Sequence, residues 1–145
     1  MTTTNLIKTM LKMSRDLPIK SPYKHICAII KNDSVVAFGG NDTYKTHPLA
    51  KILGYSNGSV HAEFNALVKY ICTTYHVKAK NIIRENFDLS NLELIVVRAD
   101  SKGNPLNSRP CETCMKFIRR FGIKTIVHSV DGGFSWVDDD SIFLV

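Results

Sequence analysis

Two cysteines, Cys111 and Cys114, stand three positions apart just after a proline, and His61 and Glu63 stand two positions apart earlier in the chain. Thiolate and imidazole groups are common zinc ligands in proteins. Three protein ligands leave a fourth position open, which is how a catalytic zinc site differs from a closed structural one. The pattern therefore predicts an open metal site made by His61, Cys111 and Cys114, with the Glu63 carboxylate beside it for proton transfer.

A closed structural site would need a fourth ligand, and the other cysteines and histidines are poorly suited to provide one. Cys27 lies in an apolar run and Cys72 on an apolar helix face, so both are expected in the core. His25 stands at the opening of the first predicted strand, where it is expected to pack, and His128 lies late in the fourth. Redox chemistry fits less well, because Pro110 precedes the cysteine pair and the histidine–glutamate pair lies upstream. An open site is favoured, and structural zinc stays the alternative.

His61-Ala62-Glu63, followed later by Pro110-Cys111-x-x-Cys114, matches the His-x-Glu and Pro-Cys-x-x-Cys signature of zinc nucleobase deaminases. The chain resembles the cytidine/deoxycytidylate deaminase superfamily from His25 to Asp131. The resemblance implies that His61, Cys111 and Cys114 hold Zn²⁺ and that Glu63 is catalytic. The implied reaction is hydrolytic deamination of a cytosine-containing nucleoside or nucleotide (cytidine, deoxycytidine or dCMP) to its uracil product, with release of ammonia. The implied assembly is a homo-oligomer.

The same resemblance implies a set of substrate-binding residues. An asparagine at the end of the second strand contacts the sugar in this family, and backbone near the two motifs binds the edge of the base. The matching positions here are Asn41, Ala62, Ser108, Arg109 and Pro110. Two of them have alternative roles: Asn41 is also a common turn residue, and Arg109 could bind a phosphate as a fork or form only a surface ion pair.

The sequence gives conflicting indications of the substrate class. The stretch His-Ala-Glu-Phe-Asn-Ala, residues 61–66, resembles deoxycytidylate deaminases, whereas an antiparallel fifth strand is typical of the free-nucleoside branch. The chain also departs from the family at His25-Ile26-Cys27-Ala28 and at Arg109, where an aromatic residue is usual. A small pyrimidine nucleoside or nucleotide is the favoured partner.

Two other functions stay open. A nucleic-acid deaminase, acting on tRNA adenosine or single-stranded cytosine, would need basic and aromatic residues along a groove, for which Tyr44, Lys45, Lys51 and Tyr55 are candidates. The net charge of +6 permits this reading, because a basic surface attracts anions. A non-catalytic, zinc-stabilised binding module is the third reading, although a purely structural site has no need of Glu63.

The predicted fold is a single α/β domain over residues 1–145. The resemblance implies a three-layer α-β-α arrangement with a mixed central sheet of about five strands flanked by helices. Periodicity predicts helices over Asn5–Met13, from His61 with a core stripe from Phe64 to Tyr75, and from Pro110 to Gly122. Strands are predicted at residues 26–30, 34–38, 92–97, 123–129 and 134–137, the last antiparallel to the fourth. Residues 42–59 are expected to form a long loop, and residues 77–91 an insertion that extends the central helix before a loop.

The chain lacks the sequence features of membrane insertion or secretion. No apolar run approaches the roughly 18 residues that a membrane span needs. The first fifteen residues lack the apolar block of a signal peptide. We therefore expect a cytoplasmic protein with no membrane partner and reduced cysteines.

Overall fold

The computed structural model describes residues 3–139 and 141–145, apart from the side chains of Thr43 and Tyr44. In these ranges the chain forms four α-helices and nine strands, seven of which belong to the main sheet. Two short 3₁₀ turns, at Ser56–Gly58 and Ala79–Arg84, complete the element order. The helices are α1 (Thr3–Arg15), α2 (Pro48–Leu53), α3 (Ala62–Tyr75) and α4 (Glu112–Arg120). The strands are β1 (His25–Lys31), β2 (Ser34–Gly40), β3 (Asp42–Thr46), β4 (Ser59–Val60), β5 (Leu92–Ala99), β6 (Pro105–Leu106), β7 (Thr125–Val130), β8 (Gly133–Trp136) and β9 (Phe143–Leu144).

The main sheet is mixed, with the strand order β2-β1-β5-β7-β8-β9 and the short β6 paired to β5. Among the strands that the structure describes, only β5 and β7 run parallel, because the connection between them contains α4 and crosses over the sheet. The turn between β7 and β8 has no room for a crossover, so these strands are antiparallel. This confirms the antiparallel fifth strand. Strands β3 and β4 form a separate two-stranded sheet.

Helices cover both faces of the sheet. Successive side chains of a strand point to opposite faces. On β1, Ile26, Ala28 and Ile30 pack with α1, whereas Cys27 and Ile29 belong to the larger core with α3 and α4. Strand β1 is therefore buried on both sides, which explains its continuous apolar sequence. The predicted three-layer α-β-α fold is confirmed.

Gly39 lets α3 lie directly on β2. A Cβ atom at Gly39 would fall 2.4 Å from the Ala66 nitrogen and 2.9 Å from the Ala62 carbonyl oxygen, which are both backbone atoms of α3. This close approach is to the helix that carries Ala62 and Glu63, so Gly39 sets where the start of α3 lies.

Residues 42–59 are not the long loop expected from sequence. They contain β3, α2, a 3₁₀ turn and the first residue of β4. The His47 ring nitrogen Nδ1 accepts a hydrogen bond from the Leu49 amide at the start of α2, and Gly54 ends this helix with φ of 97°. A proline at the first helical position and a glycine just past the end are the usual signals of a helix this short.

The ends of the two long helices around the site also differ from expectation. Helix α3 stops at His76, which has a left-handed φ of 54°, so residues 77–91 do not extend it. Helix α4 begins at Glu112 because the Cys111 sulfur caps it, and Pro110 precedes that cap instead of opening the helix. Tyr75 is 42% exposed and Cys72 half-buried, so the apolar stripe of α3 leaves the core near its end.

Within the described ranges, no helix is both long and apolar enough to cross a membrane.

Candidate active site

The beginnings of α3 and α4 bring His61, Cys111 and Cys114 together. His61 precedes α3 in an extended conformation, and Cys111 holds the same position before α4. The His61 Nδ1 atom lies 3.8 Å from the Cys111 sulfur and 3.7 Å from the Cys114 sulfur. Because His61 is outside the helix, its side chain is not tied to helical spacing. This explains how residues 61 and 63, which do not share a helix face, serve one site.

The three side chains fit a zinc ion. Their ligand atoms all lie within 4.8 Å of one another. A tetrahedral zinc ion with ordinary Zn–N and Zn–S bonds separates nitrogen from sulfur by about 3.5 Å, close to the two distances seen here. One imidazole and two thiols are donors of the type that zinc takes. In the described part of the chain no fourth histidine, cysteine or carboxylate joins the group, which is the composition of an open site.

The two thiols differ in their readiness to ionise. Hydrogen bonds from Cys114 and then His61 lower the pKa of Cys111 to about 4. The pKa of Cys114 is raised, first by its contact with Cys111 and then by burial. Both pKa shifts arise because the two sulfurs share one proton. A cation that binds here would therefore displace that proton from Cys114.

Glu63 is a buried carboxylic acid next to this group. It lies in the first turn of α3 and is only 4% exposed. Burial raises the pKa of its carboxyl above the usual value, although its own backbone amide and the Cys114 side chain act in the opposite direction. A carboxyl group with a raised pKa is suited to accept and return protons near neutral pH.

A pocket of about 300 Å³ opens onto these groups. Its walls come from the segment that enters β1, the junction of β2 and β3 at Asn41 and Asp42, β4, the start of α3 and the segment before α4. Cys114 and Pro110 are buried behind the lining. Seven of the residues predicted for the site line it: Asn41, His61, Ala62, Glu63, Ser108, Arg109 and Cys111.

The Asn41 side chain is engaged by the backbone of the neighbouring segment. Its Oδ1 accepts a hydrogen bond from the His25 amide at 2.8 Å, and its Nδ2 donates to the Tyr23 carbonyl at 2.6 Å. Tyr23 and His25 both line the pocket. In this arrangement Asn41 holds in place the pocket wall that carries Tyr23 and His25. This use of its side chain is closer to the turn-stabilising role, the alternative to a sugar contact.

Ser108 and Arg109 differ in how their side chains are used. The buried Ser108 hydroxyl donates to the Val96 carbonyl at 2.8 Å and accepts from the Ser129 amide at 2.9 Å, so it holds the pocket wall to β5 and β7. Arg109 is exposed at the rim, and it makes no ion pair within the described residues. Its guanidinium therefore remains available to a ligand, whereas the Ser108 side chain is occupied.

Sequence reasoning missed two roles. His25 was expected to pack in the first strand, but it lines the pocket, and burial followed by the nearby Arg98 lowers its pKa to about 4. The signal was available, because a β1–β2 hairpin places His25 opposite Asn41. From the sequence Tyr55 is a candidate for a nucleic-acid-binding groove, yet its hydroxyl lies 2.8 Å from the Cys114 sulfur. No local pattern reports a contact between residues so distant in sequence.

Residues 3–130 match the family described as the cytidine and deoxycytidylate deaminase zinc-binding region. The chain belongs to this family. It is therefore a zinc-dependent hydrolase of the deaminase type, and its His/Cys/Cys group is positioned for metal binding. A dCMP deaminase from the cyanophage S-TIM5, solved in its apo form, is similar in structure with 20% sequence identity and a TM-score of 0.49. The similarity covers 86% of this chain and 82% of that chain. No curated protein matches the chain closely enough to count as a relative.

Proposed function

We propose that the protein deaminates a cytosine-containing nucleoside or nucleotide (cytidine, deoxycytidine or dCMP) by hydrolysis, giving the uracil product and ammonia. The observation that carries this proposal is the buried Glu63 carboxyl beside the His61/Cys111/Cys114 group at one pocket. A structural metal site would gain nothing from burying an acid beside it, since burial of an unpaired carboxylate is costly.

His61, Cys111 and Cys114 are assigned as the residues that hold zinc. When bound, zinc supplies a water of lowered pKa, which is the nucleophile of the reaction. Glu63 takes a proton from the attacking water and places it on the ring nitrogen next to the reacting carbon. The Glu63 carboxylate then takes the remaining proton of the former water from the new hydroxyl group and delivers it to the amine. The carbon–nitrogen bond breaks, ammonia leaves, and the carbon–oxygen bond becomes the carbonyl of uracil.

The pocket walls supply the substrate contacts in this proposal. Ala62 and the backbone of residues 108–110 border the base edge, and Asn41 acts through the wall formed by Tyr23 and His25. The volume of about 300 Å³ lies at the small end of ligand pockets, as suits one nucleoside or nucleotide. Arg109 at the rim is suited to bind a phosphate through its planar fork.

The residues considered for nucleic-acid binding support a nucleic-acid substrate less well than the pocket supports a small one. Tyr55 is only 4% exposed, and its hydroxyl is hydrogen-bonded to the Cys114 sulfur, so its ring is not available to stack on a base. Lys45 and Lys51 are exposed, and the Tyr44 side chain lies outside the described residues. A small substrate is therefore the better-supported choice.

Ammonia release by the zinc-loaded protein tests the proposal. The panel contains cytidine, deoxycytidine, their monophosphates, adenosine, guanine and a single-stranded cytosine oligonucleotide. We expect turnover of a free cytosine compound. Turnover of the oligonucleotide alone would favour the nucleic-acid reading, and zinc binding without any turnover would favour a binding module.

The same assay tests Arg109. If the substrate is a monophosphate, Arg109→Ala should raise its KM by about 10-fold through the loss of a charge-assisted contact, and leave the nucleoside unaffected. Arg84→Ala removes an equal charge from the exposed 3₁₀ turn after α3 and serves as the control. Equal effects of the two variants would mean that Arg109 acts only through net charge.

A further inference from the structure

Tyr55 touches two of the three residues in the His61/Cys111/Cys114 group. Its hydroxyl lies 2.8 Å from the Cys114 sulfur, and both groups are buried. Its ring lies against the His61 ring, with 4.6 Å between centroids. Tyr55 does not line the pocket, so it meets the group from the protein side.

The segment around Tyr55 holds this side chain in place from both directions along the chain. The Tyr55 amide donates to the Ala50 carbonyl at 3.0 Å, and its carbonyl accepts from the Gly58 amide at 2.9 Å. The Tyr55 ring also packs edge-on against Phe64 of α3, with 5.6 Å between centroids. The helix α2 and the turns after it thus fix the direction of the Tyr55 hydroxyl.

The direction of the hydrogen bond follows from the chemistry of the ligand. A cysteine that binds a metal is a thiolate and has no proton to give. A phenol at neutral pH carries its proton. The Tyr55 hydroxyl must then be the donor and the Cys114 sulfur the acceptor whenever Cys114 acts as a ligand.

We propose that Tyr55 is a positioning residue for the metal ligands, which orients Cys114 through its hydroxyl and His61 through its ring. The inference rests on the proposed assignment of His61, Cys111 and Cys114 as the zinc ligands. Hydrogen bonds to ligand atoms orient them and tune their basicity, and their loss typically costs about 10- to 100-fold in metal affinity or activity. Tyr55 therefore withdraws electron density from the Cys114 thiolate as well as holding it.

Tyr55→Phe isolates the hydroxyl, because the ring contacts with His61 and Phe64 are kept. The matched control is Tyr70→Phe, which makes the same change at a tyrosine of similar burial, 7% against 4%, two turns beyond Glu63 on α3. Each protein is loaded with cobalt(II) and its sulfur-to-cobalt charge-transfer band is recorded. Competition with a chelator then measures zinc affinity at fixed pH.

We expect Tyr55→Phe to move the band to lower energy, since the thiolate becomes richer in electrons, and to lower zinc affinity by about 10-fold or more. Tyr70→Phe should match the wild-type protein in both measurements. An unchanged band and an unchanged affinity in Tyr55→Phe would overturn the inference while leaving the zinc assignment intact. A wild-type protein without any thiolate band would overturn the zinc assignment itself.

Replacement of Tyr55 by 3-fluorotyrosine provides a second test if the Phe variant does not fold. This residue keeps the ring and the hydroxyl but is a stronger hydrogen-bond donor. Measured below pH 7, so that the phenol stays protonated, it should move the charge-transfer band to higher energy. A shift to lower energy, or no shift, would contradict the proposed hydrogen bond.

Discussion

Gly39→Ala should damage the active site without changing any residue in it. The added Cβ would lie 2.4 Å from the Ala66 nitrogen, and ordinary contacts begin near 3.4 Å. Because the obstructing atoms are backbone, α3 must move away from β2 by about 1 Å. The start of that helix carries Glu63 and follows His61, so the displacement reaches the proposed active site directly.

Two consequences can be given magnitudes. Overpacking of this kind costs about 1–3 kcal/mol of unfolding free energy, measurable by urea denaturation. A misplacement of about 1 Å can reduce turnover by about 100-fold in protein that remains folded. Turnover should be measured at a temperature where both proteins are fully folded, and zinc content should be determined on the same samples.

Gly40→Ala is the matched control for this prediction. A Cβ at Gly40 would meet only the ends of side chains, Leu17 at 3.2 Å and Ile26 at 3.5 Å, and the closer Leu17 is flexible and can move aside. We expect Gly40→Ala to be close to the wild-type protein in stability and turnover. Wild-type behaviour of Gly39→Ala, or equal damage from both substitutions, would refute the idea that Gly39 places α3.

Two further predictions concern the pocket walls. Since the pKa of His25 falls from 6.5 in the unfolded chain to about 4 in the folded one, only the unfolded state binds this proton between those values. The free energy of unfolding should therefore decrease as pH falls from 6.5 to 4, and His25 should account for about 2 kcal/mol of that decrease at pH 5. His25→Gln should remove this contribution in urea titrations of chelator-treated protein. Identical pH profiles of the two proteins would contradict the lowered pKa of His25. Ser108→Ala should cost about 1–3 kcal/mol because it leaves the buried Ser129 amide without its acceptor, whereas the exposed Ser101→Ala should cost little in the same titration.

The metal-binding group could be predicted because its chemistry is written in short, local patterns. His61-x-Glu63 and Cys111-x-x-Cys114 each occupy the start of a helix, and donor type together with spacing restricts what they can bind. The sheet was also predictable in outline. The two-residue turns after β1 and β7 force antiparallel pairs, and the helix between β5 and β7 permits a parallel one.

Other features depend on contacts that local patterns do not report. The Tyr55–Cys114 hydrogen bond joins residues far apart in the chain, and Gly39 is explained only by the backbone of α3. The exact start of α4 was missed because the Cys111 sulfur accepts the Cys114 amide and so replaces a more usual capping side chain. The sequence of residues 42–59 predicts a loop because the helix within them is only six residues long and leaves too short a pattern to detect.

The most direct test of the proposed mechanism is ammonia release by Glu63→Gln, measured against the wild-type protein with equal zinc content verified in both. Glutamine preserves the size of the buried side chain but cannot carry the proton. The mechanism predicts that Glu63→Gln binds zinc as the wild-type protein does and loses turnover by at least about 100-fold on the substrate that the wild-type protein deaminates. Wild-type turnover by zinc-loaded Glu63→Gln would contradict the role assigned to this carboxyl group.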